Sequence, residues 1–275
     1  MLSSEELSLI YRRAYVPEHL PGYVVAVSAA EPHLHGEYLC FTRGTHLIFI
    51  GYPLGMDAQD TPRFYKSACE RFHPATVAII APQLWLPAQT YQSQPGDSYY
   101  RLELPLGPLD PEVAYMVRRA SRELRVTPGR FGKEHKRLVK DFLSRHELSR
   151  EHRLIFERIP HYLKTSEAAR LLEARKGDIL VAFTIVDLGS ANYAFYLFNF
   201  RSVEASVPGA SDLLFQEMAE LARSEGKAAI NLGLGIHPGV RNFKEKWGGT
   251  PFLPHTHALV HRHSYELDAL GKKIC

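Results

Sequence analysis

Two long runs of β-forming residues follow one another closely in the C-terminal part of the chain. They cover positions 178–187 and 193–201, and the LGSA segment between them has the glycine and small residues of a turn. A helix-period pattern over 211–225, a strand over 227–232, a helix over 239–247 and a strand over 252–261 come next. This order predicts an α/β fold with a central sheet flanked by helices.

The first 175 residues carry a second set of helix and strand signals. Helices are predicted at 4–13, where Ser3 and Glu6 form a capping box, at 61–72 with Thr61 as cap, and after Asp110. Strands are predicted at 23–29, 37–42, 46–51, 76–81 and 98–104, with a hairpin turn at Arg43-Gly44 between the second and third of them, and a loop is predicted at 88–96. The VTPG sequence at 126–129 predicts a domain boundary, which divides the chain into 1–127 and 128–275. Three helices, at 131–142, 149–159 and 166–174, are expected after it.

The composition is ordinary for a globular protein. A chain of 275 residues can hold one large domain or two small ones, and 45% of its residues are hydrophobic. No run of about 18 apolar residues occurs, so we expect no membrane-spanning helix. The N-terminus has no apolar signal segment. The three cysteines, Cys40, Cys69 and Cys275, are far apart and odd in number, which favours a reducing, cytoplasmic setting.

A basic segment lies in the middle of the chain. Positions 118–153 hold twelve Lys or Arg against five Asp or Glu, although the net charge of the whole chain is only +3. Four of these cations, Lys133, Lys136, Arg137 and Lys140, recur at helical spacing on one face. Such a face is often simply solvated. It also suits an anionic partner, namely a tRNA, an acyl carrier protein or a lipid headgroup surface, without reading any DNA sequence.

The GVRNFKEKWGG stretch at 239–249 mixes aromatic, cationic and glycine residues. On a helix, Val240, Phe243 and Trp247 share one face, and Lys244 lies at the edge of that face. An exposed helix lysine is the simplest interpretation of Lys244, because charged side chains are mostly exposed.

The element order, Arg201 at a strand end, the VPGA loop, the next helix and the FKEKWGG segment together resemble one superfamily. The chain is similar to the GNAT-like Fem-type and lysylphosphatidylglycerol-synthase-like transferases. The resemblance implies tandem GNAT-like lobes and transfer of an activated acyl or aminoacyl group to an amine. Two departures stand out: Asn231 replaces an aspartate of the family pattern, and the loop at 207–212 lacks the usual glycine spacing.

The resemblance also implies a site. The strand over 193–200 would separate from its neighbour, and the donor would contact the residues from there to the next helix. These residues are Phe198, Asn199, Phe200, Arg201, Gly209, Ala210 and Ser211. Phe243 and Lys244 would lie at the active site, with the lysine stabilising the donor or developing negative charge. Asp212, in the first turn of the helix, would repel a pyrophosphate, which favours a carrier-bound donor over free acyl-CoA.

The proton-transfer groups are less defined. Glu204 after the separating strand and His237 before the short helix are candidate bases, and Tyr193 or Tyr196 is a candidate acid. We expect no tightly bound cofactor; acyl-CoA, another acyl thioester or an aminoacyl-tRNA would be a co-substrate. A catalytically silent module that binds an anionic partner is the alternative function.

Histidines cluster near the C-terminus in HTHALVHRH. His255, His257, His261 and His263 would share one face of a strand, and a further pair, His33 and His35, occurs near the N-terminus. No carboxylate or cysteine nearby completes a familiar metal site. A polar strand face is therefore expected, and no metal.

Overall fold

A computed structural model describes residues 2–55, 60–93 and 96–262 of the chain. His263 and Cys275 lie outside the described residues. The helices are α1 (Ser4–Arg13), α2 (Pro21–Ser28), α3 (Thr61–Phe72), α4 (Pro111–Ser121), α5 (Lys133–Arg145), α6 (Arg150–Glu157), α7 (Ile159–Thr165), α8 (Ala210–Ser224) and α9 (Pro238–Lys246). The strands are β1 (Glu31–His35), β2 (Tyr38–Arg43), β3 (His46–Ile50), β4 (Thr76–Ala81), β5 (Gln92–Ser93), β6 (Asp97–Glu103), β7 (Arg125–Pro128), β8 (Ala169–Lys176), β9 (Ile179–Asp187), β10 (Tyr193–Arg201), β11 (Ala229–Leu234) and β12 (Thr250–His261).

The strands of the described residues form one mixed sheet in the order β1-β2-β3-β4-β12-β6-β11-β10-β9-β8-β7, with β5 also on β12. The long strand β12 connects its two halves. Its first part pairs with β6, as in Leu253↔Tyr99, and its last part pairs with β4, as in Ala258↔Ile79. The α/β architecture predicted from the sequence is confirmed.

Helices cover both faces of the C-terminal half of the sheet. On one face, α4 and α8 pack on β8 to β10, and Leu214, Phe215 and Trp247 belong to this core. On the other face, α5 and α7 enclose a second core that contains Phe183, Phe198 and Phe200. The sheet is therefore buried on both sides here, which explains the nearly continuous apolar runs of β9 and β10.

For two segments the sequence predicted the wrong secondary structure, a strand in place of a helix and a helix in place of a strand. Residues 23–29 form most of helix α2 rather than a strand, because Pro21 starts a helix and Tyr23 packs edge-on against Tyr162, with ring centroids 5.4 Å apart. Residues 169–176 form strand β8 rather than a helix. Leu171 and Leu172 pack into cores on opposite faces, which only the two-residue period of a strand allows.

Smaller differences occur at turns and caps. Asp60, not Thr61, caps α3, because its carboxylate accepts the backbone N–H of Arg63. The expected break at 126–129 overlaps the edge strand β7, which pairs with β8 and ends at Pro128, a residue that edge strands tolerate. The expected loop at 88–96 includes a short 3₁₀ helix at Ala88–Thr90 and strand β5.

The Arg43-Gly44 hairpin and the Ser3–Glu6 capping box are confirmed. The division of the chain at 127/128 stays a prediction, and strand β6, which precedes that position, lies between β11 and β12.

Asn231 fastens the N-terminal segment to the sheet. Its fully buried side chain donates from Nδ2 to the Tyr15 carbonyl at 2.8 Å and accepts the Gly233 backbone N–H at 2.8 Å.

Asn231→Ala would leave both backbone groups without these partners and should lower the free energy of unfolding by about 3 kcal/mol. Urea denaturation measures this loss. Asn192→Ala, at an exposed position, is the control, and an equal loss in both variants would contradict the role of Asn231.

Candidate functional site

Strands β10 and β11 separate after a short paired stretch. Their parallel pairing runs from Tyr193↔Ala229 to Phe195↔Asn231 and ends there. Each strand also carries an irregularity at this point, β10 against β9 at 196–198 and β11 against β6 at 231–234. Bulges bend a strand and end its pairing. The result is a gap in the sheet, as the resemblance implied.

Lys244 lies at this gap. Its side chain is only 3% exposed, and Nζ donates to the Leu234 carbonyl on β11 at 2.5 Å and lies 5.5 Å from the centre of the Tyr100 ring. A methyl carbon built on Gly233 would be 3.9 Å from Nζ and 3.8 Å from the Tyr196 carbonyl of β10. The ammonium group is therefore held beside the point where the two strands part, and it is not the exposed helix lysine of the simplest interpretation.

Burial changes the ionisation of this lysine. The loss of water around Nζ lowers the pKa of Lys244 to about 7, and the nearby charge of Asp97 partly opposes that shift. An amine with this pKa gains and loses a proton near neutrality, and a developing negative charge beside it favours the protonated form.

Asp97 orders the loop between β11 and α9. Its carboxylate accepts the backbone N–H groups of Ser98 at 2.7 Å, Gly235 at 3.2 Å and Ile236 at 2.7 Å. Ile236 has φ of +54° and is 73% exposed, a left-handed conformation that is rare for a β-branched residue. Sequence reasoning missed both residues, because Asp97 is far from this loop along the chain.

A cavity of about 530 Å³ opens at the N-terminus of α8. Five residues assigned to the donor site by resemblance line it, and Met116, Val181 and Lys246 contribute to the same wall. Those five are Arg201, Gly209, Ala210, Ser211 and Phe243. The structure thus brings the end of β10, the small-residue loop and α9 together around one space.

The small-residue loop has a backbone that needs glycine. Gly209 has φ of +83°, and a Cβ there would lie 2.3 Å from the Met116 carbonyl of α4. Gly209 is also the N-cap of the 15-residue helix α8, and its cap has no side-chain hydrogen bond. The first N–H groups of a long helix favour an anion, so this end of the cavity suits a phosphate or carboxylate.

Asp212 does not present a free charge to the cavity. It is 5% exposed and accepts from Lys246 Nζ at 2.6 Å and from Trp247 Nε1 at 3.0 Å. The expectation that Asp212 repels a pyrophosphate rested on an unpaired carboxylate. Because Lys246 offsets this charge, Asp212 gives no reason to disfavour acyl-CoA.

A polar chain connects β10 to α8. Asn199 Nδ2 donates to the Tyr196 hydroxyl at 2.6 Å, and Ser211 Oγ lies 3.5 Å from Asn199 Oδ1. The Tyr196 ring is nearly parallel to that of Phe243, with centroids 6.4 Å apart. Burial raises the pKa of the Tyr196 phenol, so this hydroxyl stays protonated and can act only as a neutral donor or acceptor.

Phe198 and Phe200 point away from this cavity. Both side chains are buried in the core on the α5 face, where each ring packs against Phe156. Any contact of these two residues with a donor at the α8 cavity would have to come from their backbone. Their assignment to the donor site stays a prediction.

The two candidate bases are both exposed. Glu204 lies in the turn after β10, and His237 is the N-cap of α9 without a side-chain capping bond. Neither lines the α8 cavity. Tyr193 pairs with Ala229 at the closed end of the two strands, so Tyr196 is the tyrosine at the gap. The roles of Glu204, His237 and Tyr196 remain predictions.

The histidine-rich segment forms part of β12. His255 is opposite Asp97 on β6, whereas His257 and His261 are opposite Ile80 and Thr76 on β4. No group of three or more His, Cys, Asp or Glu residues in the described ranges could hold a metal ion. The ring of His33 forms a hydrogen bond with the Thr42 hydroxyl on the paired strand.

None of the helices described is long and apolar enough to span a bilayer.

The basic face of α5 is free of the core. Lys133, Lys136, Arg137 and Lys140 are all exposed, and so are Arg118, Arg119 and Arg122 near the end of α4. Leu138, Val139 and Leu143 occupy the buried side of α5. The helix therefore packs by its apolar face, as its period predicted, and presents the cations to solvent.

No protein-family model matches the chain, and no curated protein matches it. Solved structures do. One is the C-terminal domain (DUF2156) of a protein described as a lysylphosphatidylglycerol synthetase from Agrobacterium fabrum, with a TM-score of 0.62, 15% identity, and coverage of 94% of this chain and 93% of that chain.

FemX is similar with a TM-score of 0.63 and 11% identity, over 93% of this chain and 96% of that chain. A tandem GNAT protein from the clavulanic acid biosynthesis pathway has a TM-score of 0.52 and 13% identity, over 94% of both chains. The resemblance to Fem-type, lysylphosphatidylglycerol-synthase-like and tandem GNAT proteins is therefore confirmed as a likeness of fold.

Burial of Lys244 makes stability depend on pH. In the unfolded chain a lysine has a pKa near 10.5, whereas the folded value is about 7, so between these values the unfolded state binds more protons. The free energy of unfolding should rise with pH in this window, by at most about 1.4 kcal/mol per unit. Urea unfolding at pH 7 and pH 9 should show that the free energy of unfolding rises less with pH in Lys244→Met than in the wild type. Lys136→Met, at an exposed position, should show the same rise as the wild type. The same rise in all three proteins would contradict the lowered pKa of Lys244.

Proposed function

We propose that this protein is an N-acyltransferase or aminoacyltransferase that moves an activated acyl group to an amine. The observation that carries the proposal is the position of Lys244. A buried lysine beside a gap between two strands adds little to stability because the ion is desolvated. Costly buried charges with shifted pKa values are typical of functional sites.

The donor would occupy the cavity at α8. Its anionic part, a phosphate of acyl-CoA, of a phosphopantetheine arm or of a tRNA end, would meet the first N–H groups of α8 and the exposed guanidinium of Arg201. Its acyl carbonyl would extend to the gap, where β10 and β11 no longer pair with each other and an extended chain could bond to the strand backbone.

Lys244 would polarise the acyl carbonyl. Attack by an amine converts that carbonyl into a tetrahedral centre with negative charge on oxygen, and an ammonium group held in a poorly solvated place stabilises such charge strongly. The bond from Nζ to the Leu234 carbonyl fixes the lysine before the donor arrives, so the site needs little rearrangement.

The exposed cations of α4 and α5 favour a donor on a macromolecular carrier, an acyl carrier protein or an aminoacyl-tRNA. Phosphates and acidic side chains would both be attracted to Lys133, Lys136, Arg137 and Lys140. The alternative, a silent module that binds RNA, an anionic lipid or an acidic protein, rests on the same surface alone. We place the protein in the cytoplasm on its cysteine content.

Loss of the ammonium group tests the catalytic role of Lys244. Lys244→Ala should lower turnover at least about tenfold, equal to about 1.4 kcal/mol of barrier, because the oxyanion loses its counter-charge. Transfer is measured by mass spectrometry with a panel of acyl-CoA, acyl carrier protein and aminoacyl-tRNA donors and a mixture of amines. Lys164→Ala, on the exposed side of α7, is the control. Full activity in a folded Lys244→Ala protein would remove Lys244 from the site.

Charge reversal on α5 separates the donor classes. The combined change of Lys133, Lys136, Arg137 and Lys140 to Glu should raise KM at least about tenfold for a carrier-bound donor, and this effect should shrink at high salt. KM for free acyl-CoA should stay within about twofold. If no donor reacts with the wild type but RNA or anionic vesicles bind in a salt-sensitive way, the silent module is the better description.

A further inference from the structure

Glu18 lies on the face of the sheet opposite to Lys244. It belongs to the short 3₁₀ helix Pro17–His19 that precedes α2, and its Oε2 accepts the Tyr99 hydroxyl at 2.7 Å. Tyr99 is the register partner of Leu234, whose carbonyl accepts Lys244 Nζ. Lys244 lies over the ring of Tyr100, and adjacent strand residues point to opposite faces. Glu18 and Lys244 thus approach the same part of the sheet from its two sides.

The point where β10 and β11 part lies between these two sides. The bulge at Leu197 brings Leu197 and Phe198 to the face of Glu18, where Phe198 meets Tyr23 of α2 with ring centroids 6.3 Å apart. Tyr196 and Asn199 remain on the face of α8. A donor carbonyl placed at this point from the α8 side would have the face of Glu18 behind it.

Among the described residues, the carboxylate of Glu18 has no cationic partner. It takes part in none of the ion pairs found among the described residues, and the groups that face it are the hydroxyls of Tyr99 on β6, Tyr23 on α2 and Tyr52 after β3. Desolvation raises the pKa of Glu18, and the bond from Tyr99 opposes that shift. Pro17 and His19 on either side are buried, whereas Glu18 keeps some exposure.

A half-buried carboxylate that faces phenol hydroxyls and pairs with no cation among the described residues is suited to a cationic ligand. Carboxylates attract an ammonium ion, and phenol oxygens can accept its N–H groups. A neutral hydroxyl or thiol would gain no charge–charge attraction. The chemistry of this place therefore favours an amine that is protonated in water.

We propose that Glu18 binds the acceptor amine and removes its proton. This assignment rests on the proposed function and adds the substrate class, a cationic primary amine that enters from the α2 face. The carboxylate first accepts one proton from the ammonium group, which leaves a neutral amine with a free electron pair.

That electron pair then attacks the donor carbonyl carbon, forming the C–N bond of the amide while the bond from carbon to the donor sulfur or oxygen breaks. The departing thiolate or alkoxide takes the second proton of the amine and leaves as a thiol or alcohol. Glu18 releases the first proton to solvent, and the site returns to its starting state.

Glu18→Gln tests the role with the least change in shape, because the amide oxygen can still accept from Tyr99. With the donor identified in the panel above and n-butylamine as the amine, kcat/KM for the amine should fall at least about a hundredfold at pH 7. The loss should shrink as pH approaches the pKa of the free amine, because the substrate then arrives already deprotonated. A structural defect would not give this pH dependence. Glu5→Gln, exposed on α1, is the matched control.

Binding of the amine is measured separately from turnover. Calorimetry with n-butylammonium chloride should show binding to the wild type, and this binding should be at least about tenfold weaker in Glu18→Gln; n-butanol should bind neither protein. Glu18→Asp should restore part of the binding. If the wild type binds n-butylammonium through Glu18 but transfers no acyl group, the amine site stands and the transferase proposal fails. If Glu18→Gln matches the wild type in both assays, or the wild type binds no amine, the role of Glu18 is overturned.

Discussion

The early end of pairing between β10 and β11 is the constraint on which the rest of the site depends. Two parallel strands that share three residue pairs and then diverge leave backbone groups that no neighbouring strand satisfies. Bulges in both strands hold them apart, and Asn231 fixes the last paired position through two hydrogen bonds. Lys244 and Tyr196 lie beside this gap.

Three buried or half-buried charges near the gap are balanced in different ways. Asp212 is paired with Lys246 and Trp247, and this pairing anchors α9 to α8. Lys244 has one carbonyl partner and an aromatic ring, and Glu18 has one phenol. The ion pair offsets the cost of burying the Asp212 carboxylate. Lys244 and Glu18 keep part of their desolvation cost, which a bound substrate of opposite charge could reduce.

Strand β6 carries contacts of both Glu18 and Lys244. Tyr99 donates to Glu18, and the neighbouring Tyr100 ring lies under the ammonium group of Lys244. One sheet thus positions the acidic and the basic group on opposite faces of a common frame.

The sequence by itself determined several local features, because these follow from periodicity and turn chemistry. They are the element order of the C-terminal part, the hairpin at Gly44, the caps at Ser3 and Asp110, and the apolar and basic faces of α5. It also singled out Lys244 and the loop at Gly209, although only with the help of a resemblance. Tertiary structure decided the rest. Strand β8 has a helix-forming sequence and becomes a strand because β7 and β9 pair with it.

Burial of Lys244, neutralisation of Asp212 by Lys246 and the meeting of Glu18 with Tyr99 each join residues whose contact depends on how helices and strands pack. In the case of Glu18 and Tyr99, 81 positions separate the two residues. No local pattern encodes such a distance, since the cost of desolvating a charge and the partner that offsets it exist only once the chain has closed around them.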